Sequence, residues 1–189
     1  MKCPMVLPFE PAAALAEGAP PLAFEGVYAG HFRGVWRTLR RLGVADTQLD
    51  DAAQDVFIVV HRKLESFDGR SLRGWLYAIA VRVASDYRRG VAHRRAAQLP
   101  EGVRDPAPDP QARSELQESV RLLHALLEEL PSDLRTVFVL AELEELTVPE
   151  IADALGANLN TVYSQKRSAR LRFEAALKRE RARLGGGAP

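Results

Sequence analysis

The chain has 189 residues, 47% of them apolar, and carries 26 basic against 25 acidic side chains. This length and composition suit one medium domain or two small soluble domains, each with a core of its own. No apolar run approaches the roughly 18 residues that a membrane-spanning helix needs. The proline-broken start, with Glu10 and Glu17, also lacks the pattern of a signal peptide. We therefore expect a cytoplasmic location.

Metal, disulfide and enzyme chemistry have little support in the sequence. Cys3 is the single cysteine, which excludes an intrachain disulfide and a zinc cluster built on cysteines. The four histidines lie about thirty residues apart and form no local ligand pair. There is no glycine-rich phosphate loop, nucleophile elbow or pairing of carboxylates and histidines at catalytic spacing. We expect no metal, no cofactor and no catalytic residue.

Apolar side chains recur at every third or fourth position through most of the chain, which predicts an all-α protein. The first 22 residues are rich in Pro and Ala without a sustained period and are predicted to be a flexible extension. Four prolines between Pro100 and Pro110 predict a linker between two helical modules. The predicted helices lie at about 24–42, 49–64, 72–87, 116–130, 132–144, 148–155 and 160–180.

These elements predict two small helical domains, the first with three helices and the second with four. No alternating apolar pattern bounded by turn residues indicates a sheet. The expected division is an extension at 1–22, a first domain at 23–96, a proline-rich linker at 97–112, a second domain at 113–181 and a flexible tail at 182–189.

Charge is strongly segregated despite the net value of +1. Between Thr161 and Arg183, eight basic residues stand against two acidic ones, whereas Glu128 to Glu150 contains seven acidic residues and only Arg135 as a base. A second basic block begins at Arg73 and meets only Asp86. Two separated basic surfaces indicate a polyanion contacted at two places, although two solvated helix faces would give the same pattern.

The segment from Thr147 has the spacing of a helix-turn-helix. Thr147 and Glu150 form a capping box that starts a first helix, and Pro149 is tolerated in its first turn. Gly156 supplies a left-handed residue that ends this helix, and Asn158 or Asn160 caps the next one. The inward residues are Ile151, Ala152, Leu155 and Val162. A plain helical hairpin is the simpler alternative.

In a helix-turn-helix, the first two turns of the second helix enter the major groove and read base edges. Here the outward residues of those turns are Asn160, Tyr163, Ser164 and Arg167. Arg170 and Arg172 are better placed for phosphates. Thr161, which follows Asn160 in the same turn, is also a predicted DNA-binding residue.

Nearly the whole helical part of the chain resembles bacterial sigma factors of the extracytoplasmic-function group. The first block carries the resemblance in DDAAQDVFIVVHRKLESFDG and SLRGWLYAIAVRVASDYRR, and the second in LEELPSDLRTVFVLAELEELTVPEIADALGANLNTVYSQKRSAR. The order, the spacing and the proline-rich linker match together. The resemblance implies that the first domain is sigma region 2 and the second is region 4, whose recognition helix binds the −35 promoter element.

The resemblance also implies partners and site residues. Region 2 would dock on the clamp of core RNA polymerase through Asp50, Asp51, Asp55, Val56 and Phe57. It would contact the melted −10 element through Phe67, Asp68, Arg70, Ser71, Trp75, Arg82, Arg88 and Arg89. Core packing is an equally good interpretation of Trp75. The acidic segment before the recognition helix would face the polymerase flap, and an anti-sigma factor or a conformational lock would cover the two DNA surfaces.

Three residues depart from the family pattern. Arg82 stands where an Asn is usual near the −10 strand, and Gln165 replaces a common basic residue. Lys166 occupies a position that is usually an inward-facing Leu, so either its stem runs along the core before the ammonium group emerges or the helix packs at a slightly different angle. We therefore expect altered base preference and helix packing at these sites.

Two other functions remain open at this level. An autonomous helix-turn-helix regulator would explain the second domain but leaves Asp55 and Trp75 without a role. An enzyme would need catalytic groups, whereas the shared helix face of Asp51 and Asp55 suits an exposed docking surface. We therefore favour a sigma factor that turns core polymerase into a holoenzyme.

Overall fold

The structure is a computed structural model that describes residues 23–90 and 110–185. Every regular element in these two ranges is helical. The seven α-helices are α1 Phe24–Arg41, α2 Leu49–Lys63, α3 Leu72–Arg88, α4 Pro110–Glu128, α5 Ser132–Phe138, α6 Val148–Leu155 and α7 Leu159–Gly185. This confirms the all-α prediction, with three α-helices before the proline-rich stretch and four after it. Over these ranges, none of the helices combines the length and apolarity that crossing a membrane requires.

The N-terminal unit is formed by α1, α2 and α3, which all pack against one another. Each helix buries an apolar stripe, as Leu39, Val56 and Leu76 show with almost no exposed surface. Short 3₁₀ turns at Asp46–Gln48 and Leu64–Ser66 adjoin the two ends of α2. The second of these turns opens the loop that connects α2 to α3.

The C-terminal unit is built around α7, which packs on α4, α5 and α6. Small side chains at Ala169 and Ala176 are buried on α7 and allow close approach. The rings of Phe138 and Phe173 stack with centroids 4.4 Å apart. The helix predicted at 132–144 changes from α to π geometry at Val139–Leu143, a rare form that often occurs near functional sites.

The helix-turn-helix prediction is confirmed in detail. The Thr147 amide donates to Glu150 Oε2 at 2.8 Å, and the Glu150 amide donates to Thr147 Oγ1 at 3.4 Å, which completes the capping box. Gly156 has φ +61°, in the left-handed region that favours glycine. Of the two candidate caps, Asn158 is used: its Oδ1 accepts from the Asn160 amide at 2.9 Å. Val162 is fully buried and holds the two helices together.

Two expected boundaries differ from the structure. Helix α4 begins at Pro110, inside the segment predicted as linker 97–112, because a proline is tolerated in a first turn that lacks intrahelical amide partners. Helix α7 continues to Gly185, into the tail predicted at 182–189, because basic side chains suit a helix C-terminus. The expectations for 1–22, for most of the linker and for 186–189 lie outside the described residues.

We expect Thr147→Ala to lower the free energy of unfolding by about 1 kcal/mol, because it removes the N-cap of α6. Chemical denaturation followed by circular dichroism measures this change. The matched control is Asp153→Ala on an exposed position of the same helix, where the change should stay within about 0.5 kcal/mol. Equal stability of the two variants would contradict the role assigned to the capping box.

Candidate nucleic-acid interface

The first two turns of α7 present one exposed polar face. Tyr163 is 59% exposed, and the other side chains predicted for base or phosphate contact are also exposed. Val162 and Ala169 lie on the opposite side of α7 and are fully buried. The polar face is therefore directed toward solvent. The exposed set predicted from the sequence is Asn160, Thr161, Ser164, Arg167, Arg170 and Arg172. The arrangement can enter a major groove, which admits an α-helix.

Two cations of α7 are paired with Glu142 of the π-helical segment. Arg170 Nη2 lies 2.8 Å from Glu142 Oε2, and Lys166 Nζ lies 3.6 Å from Oε1. The hydrogen bond with Glu142 raises the pKa of Arg170. Lys166 is half-buried, with its ammonium group at this carboxylate, which accommodates a lysine on the side of the helix that packs. A phosphate would have to compete with Glu142 for Arg170.

A second candidate surface lies at the loop before α3 and along that helix. The rings of Phe67 and Trp75 are 5.2 Å apart between centroids, and both are half-buried. Trp75 packs against the N-terminal core, but part of its side chain stays exposed. Core packing therefore explains only the buried part of this side chain. Asp68 and Arg70 form an ion pair across Gly69, whose φ is +77°. This loop presents an aromatic pair beside charged groups.

The arginines predicted for the same surface separate into two sets. Arg82 and Arg89 follow Trp75 at intervals of seven residues and therefore share its face of α3. Arg89 also pairs with Asp86 at 2.6 Å. Arg88 differs from the expectation, because its Nη1 donates to the Leu42 carbonyl oxygen at 2.9 Å. Its guanidinium group lies at the end of α1, away from the Trp75 face.

The acidic face of α2 contains exposed and internal groups. Asp51 is exposed, and exposed Asp50 accepts a hydrogen bond from Trp36 Nε1 at 2.9 Å. Asp55 Oδ2 accepts from the Tyr87 hydroxyl at 2.9 Å, which ties α2 to α3.

Two residues predicted for docking on this face, Val56 and Phe57, are 0% and 3% exposed. Their apolar side chains belong to the core of the unit and cannot touch a partner in this arrangement. This corrects the expectation that they form part of an exposed docking surface.

Part of the acidic segment, which the sequence predicts to face the polymerase flap, is paired inside the molecule. Glu142 pairs with α7, and Glu144 is buried between the two units with 6% of its surface exposed. Glu150 accepts from Ser71 Oγ at 2.7 Å besides forming the capping box, and these bonds lower its pKa. Buried or partly buried carboxylates require such donors, so the tertiary structure uses these charges internally.

Sequence reasoning missed the polar cluster around Glu144. Thr38 and Arg41 of α1 and Tyr77 of α3 surround its carboxylate. Burial and the hydrogen bond to Glu144 raise the pKa of Tyr77 to about 12. The one available signal is that Thr38 and Tyr77 interrupt otherwise apolar helix faces. Local spacing does not identify their partner, which lies 106 and 67 residues away along the chain.

The fold and these surfaces define a helical DNA-binding protein with a helix-turn-helix and a second, aromatic and cationic face. Comparison with known families agrees: residues 27–94 match Sigma-70 region 2, and residues 121–173 match Sigma-70, region 4.

Individual relatives match over most of this chain. The ECF RNA polymerase sigma factor SigE of Mycolicibacterium smegmatis is 34% identical over 71% of this chain, which spans 54% of SigE. The RNA polymerase sigma factor NccH of Alcaligenes xylosoxydans xylosoxydans is 31% identical, over 82% of this chain and 87% of NccH. The structure of CnrH in complex with the cytosolic domain of CnrY matches with a TM-score of 0.61 and 26% identity, covering 82% of this chain and 87% of CnrH.

The chain belongs to the extracytoplasmic-function group of RNA polymerase sigma factors. It is a sigma factor that directs promoter-specific initiation of transcription.

We expect Glu142→Gln to tighten binding to duplex DNA, because it releases Arg170 and Lys166 for phosphates. Each added phosphate contact should steepen the slope of log affinity against log salt by about 0.9. Fluorescence anisotropy with labelled duplex across a salt series measures both quantities. The control variant Asp153→Asn makes the same change in charge at an exposed position of α6 and should leave the salt slope nearly unchanged. An unaltered slope for Glu142→Gln would contradict the competition between carboxylate and phosphate.

Proposed function

We propose that residues 23–96 act as region 2 on core polymerase and the −10 element, and that residues 113–181 act as region 4 on the −35 element. The observation that carries this proposal is the presence of two chemically different DNA faces on one chain. The start of α7 suits duplex DNA, whereas the Phe67–Trp75 pair beside α3 suits unpaired bases. The role requires no catalytic group on this chain, and its site of action is the cytoplasm, with the polymerase.

For the −35 element, α7 reads base edges from its first two turns. Asn160 and Arg167 have the amide and guanidinium groups that make bidentate contacts with adenine and guanine. Thr161, Tyr163 and Ser164 position the helix and make further groove contacts. Arg172 neutralises phosphates, and Arg170 joins it when a phosphate displaces Glu142. The Asn158 cap and buried Val162 hold this helix in place while it binds.

For the −10 element, the aromatic pair stacks or encloses an unpaired base, since every base offers a flat π surface. Arg82 and Arg89, on the same face as Trp75, neutralise the backbone of the separated strand. Asp68, Arg70 and Ser71 supply polar groups at the loop. Arg88 acts by holding the end of α1 through Leu42.

For polymerase, the exposed carboxylates of Asp50 and Asp51 are the proposed contacts with the clamp. Asp55 is half-buried and serves the site mainly by fixing α2 against Tyr87. In the C-terminal unit, Glu128, Asp133 and Glu145 remain exposed and are the proposed acidic contacts with the flap. Val56 and Phe57 shape α2 from within the core.

A protein inhibitor is a further proposed partner. The similar CnrH was solved in complex with the cytosolic domain of CnrY. By analogy we propose that an anti-sigma factor binds this chain and covers its DNA-binding surfaces. Recovery of polymerase but of no dedicated inhibitor from cell extract would argue against this partner.

We expect Arg167→Ala to reduce discrimination between the cognate −35 sequence and a scrambled one by about 1–3 kcal/mol, because it removes a base contact. Arg172→Ala should weaken both sequences alike and reduce the salt slope by about one, because it removes a phosphate contact. Competition binding assays distinguish the two effects. The same behaviour in both variants would contradict the assignment of faces on α7.

The proposed function as a whole is tested by run-off transcription on a library of genomic promoters. We expect discrete start sites with core polymerase and this protein together, and none with either alone. Alignment of those starts would reveal both promoter elements. Sequence-specific retention of DNA by the protein alone, without any starts in the mixture, would favour an autonomous operator-binding regulator instead.

A further inference from the structure

Aromatic side chains cluster where the start of α1 packs on the end of α2. The ring centroids of Phe24 and His61 are 4.9 Å apart. The ring of Tyr28 lies 4.9 Å from that of Phe57 and 5.1 Å from that of Phe32, again between centroids. Phe57 is buried, whereas Tyr28 is 37% exposed and Phe24 and Phe32 are half-buried. We call these five residues the aromatic cluster. Apolar surface that stays exposed in one patch is typical of an interaction site.

An open cleft adjoins the aromatic cluster. It has a volume of about 210 Å³ and is lined by Phe24, Phe57, Ile58, His61 and Arg62. An apolar cavity of about 150 Å³ binds benzene, so the cleft has room for one phenyl ring. Arg62 is exposed, and exposed Lys63 follows it, so one edge of the cleft is positively charged. The cleft therefore suits an aromatic side chain with an acidic group beside it.

A segment near the start of the chain has the matching chemistry. Residues 4–11, which lie outside the described ranges, read PMVLPFEP. Four of them are apolar without being proline, and Glu10 directly follows Phe9. The three prolines favour an extended backbone, so such a segment loses little conformational entropy when it binds. Extended proline-rich segments dock in grooves that are lined by aromatic side chains.

The covalent connection keeps this segment close to the cleft. The described part of the chain begins at Ala23, directly before Phe24, which lines the cleft. The fourteen residues from Phe9 to Ala23 reach at most about 50 Å, so the cleft lies well within their range. A short tether gives an effective concentration on the order of 1 mM. A separate copy or partner has to bind at its own, lower concentration, which favours the segment of the same chain.

We propose that residues 5–9 dock in the cleft of the same molecule, with the Phe9 ring against Ile58 and the Glu10 carboxylate close to Arg62. The docked segment covers part of the aromatic cluster that otherwise faces solvent, and burial of this apolar surface stabilises the contact. Docking of this kind requires neither promoter DNA nor polymerase.

The single cysteine of the chain, Cys3, allows the position of the segment to be measured in the full-length protein. A nitroxide spin label on Cys3 stands two residues before Met5 and weakens the NMR signals of amides that come close to it. We expect loss of signal intensity at residues 57–62 of α2, with recovery when the nitroxide is reduced. These residues are more than fifty positions away from the label along the chain, so the loss reports contact in space.

Variants on both sides of the contact test its chemistry. Phe9→Ser should restore the intensity at residues 57–62, because it removes the ring that enters the cleft. The matched control is Leu15→Ser, which removes an apolar side chain from the same part of the chain but outside residues 5–9 and should leave the loss in place. On the cleft side, Ile58→Ser should restore the intensity, whereas Gln54→Ser, one turn earlier on α2, should not. Circular dichroism checks that each variant is folded.

Two outcomes would overturn docking within one chain. Equal intensities at residues 57–62 in the wild type and in Phe9→Ser would show that the Phe9 ring makes no difference to the contact. A mixture of spin-labelled protein with isotope-labelled protein that lacks the nitroxide tests a second copy as the occupant. Loss of signal in this mixture would assign the cleft to a neighbouring molecule. Loss only when both labels are on the same molecule supports the proposal.

Core polymerase is the other candidate occupant, because Ile58 follows Asp51 by seven residues and shares its face of α2. If the spin label leaves α2 unaffected while Ile58→Ser weakens binding to core polymerase, the cleft belongs to polymerase and docking of residues 5–9 is wrong. Absence of start sites with the wild-type protein would defeat the proposed function without changing the NMR result. The two proposals therefore fail in different experiments.

Discussion

A buried carboxylate needs donors, and Glu144 finds all of its side-chain donors on the opposite helical unit. Removing one partner of a buried ion pair costs about 3–5 kcal/mol, because the remaining charge is left without compensation. Replacing a buried ion pair by well-packed apolar residues is often neutral or stabilising, so the cluster is better evidence for a specific arrangement than for net stability. It defines one relative placement of the two units, and the contacts of Ser71 and Arg73 follow from that placement.

Apolar packing supports the same placement. Tyr77 of α3 inserts its ring among buried residues of the helix-turn-helix, including Val148 and Ile151. Leu130 and Phe138 of the C-terminal unit belong to the apolar cluster that also contains the core of α1 and α2. The two units therefore share an apolar core in this structure, while the start of α7 stays exposed. This interface combines the burial of apolar side chains, which has no preferred direction, with hydrogen bonds that form in only one relative orientation of the two units.

The acidic and basic segments of the chain do not simply form two separate surfaces, because several of the acidic side chains are paired inside the molecule. Glu142 neutralises cations on α7, Glu144 holds the units together, and Glu150 caps a helix while it binds Ser71. Glu142 and Glu150 thus act within the molecule as partners of groups that are proposed to meet DNA, whereas Glu144 joins the two units.

Local sequence determines the helices and the helix-turn-helix, because apolar spacing, a capping box and a left-handed glycine act over a few residues. Thr147, Gly156 and Val162 have the roles that their spacing predicts, and the exposed face of α7 follows from the same period. The family resemblance likewise needs only order and spacing along the chain. These features depend on contacts between near neighbours in sequence.

Only the tertiary structure decides which charges face solvent and which are paired. Glu144 and Thr38 are 106 residues apart, and no local pattern distinguishes Glu144 from exposed Glu145 beside it. The same limit explains why Val56 and Phe57 were expected at a docking surface and why Arg88 was expected among the −10 contacts. A partner distant in sequence is selected by packing of whole helices, and that packing is absent from the spacing of any single helix.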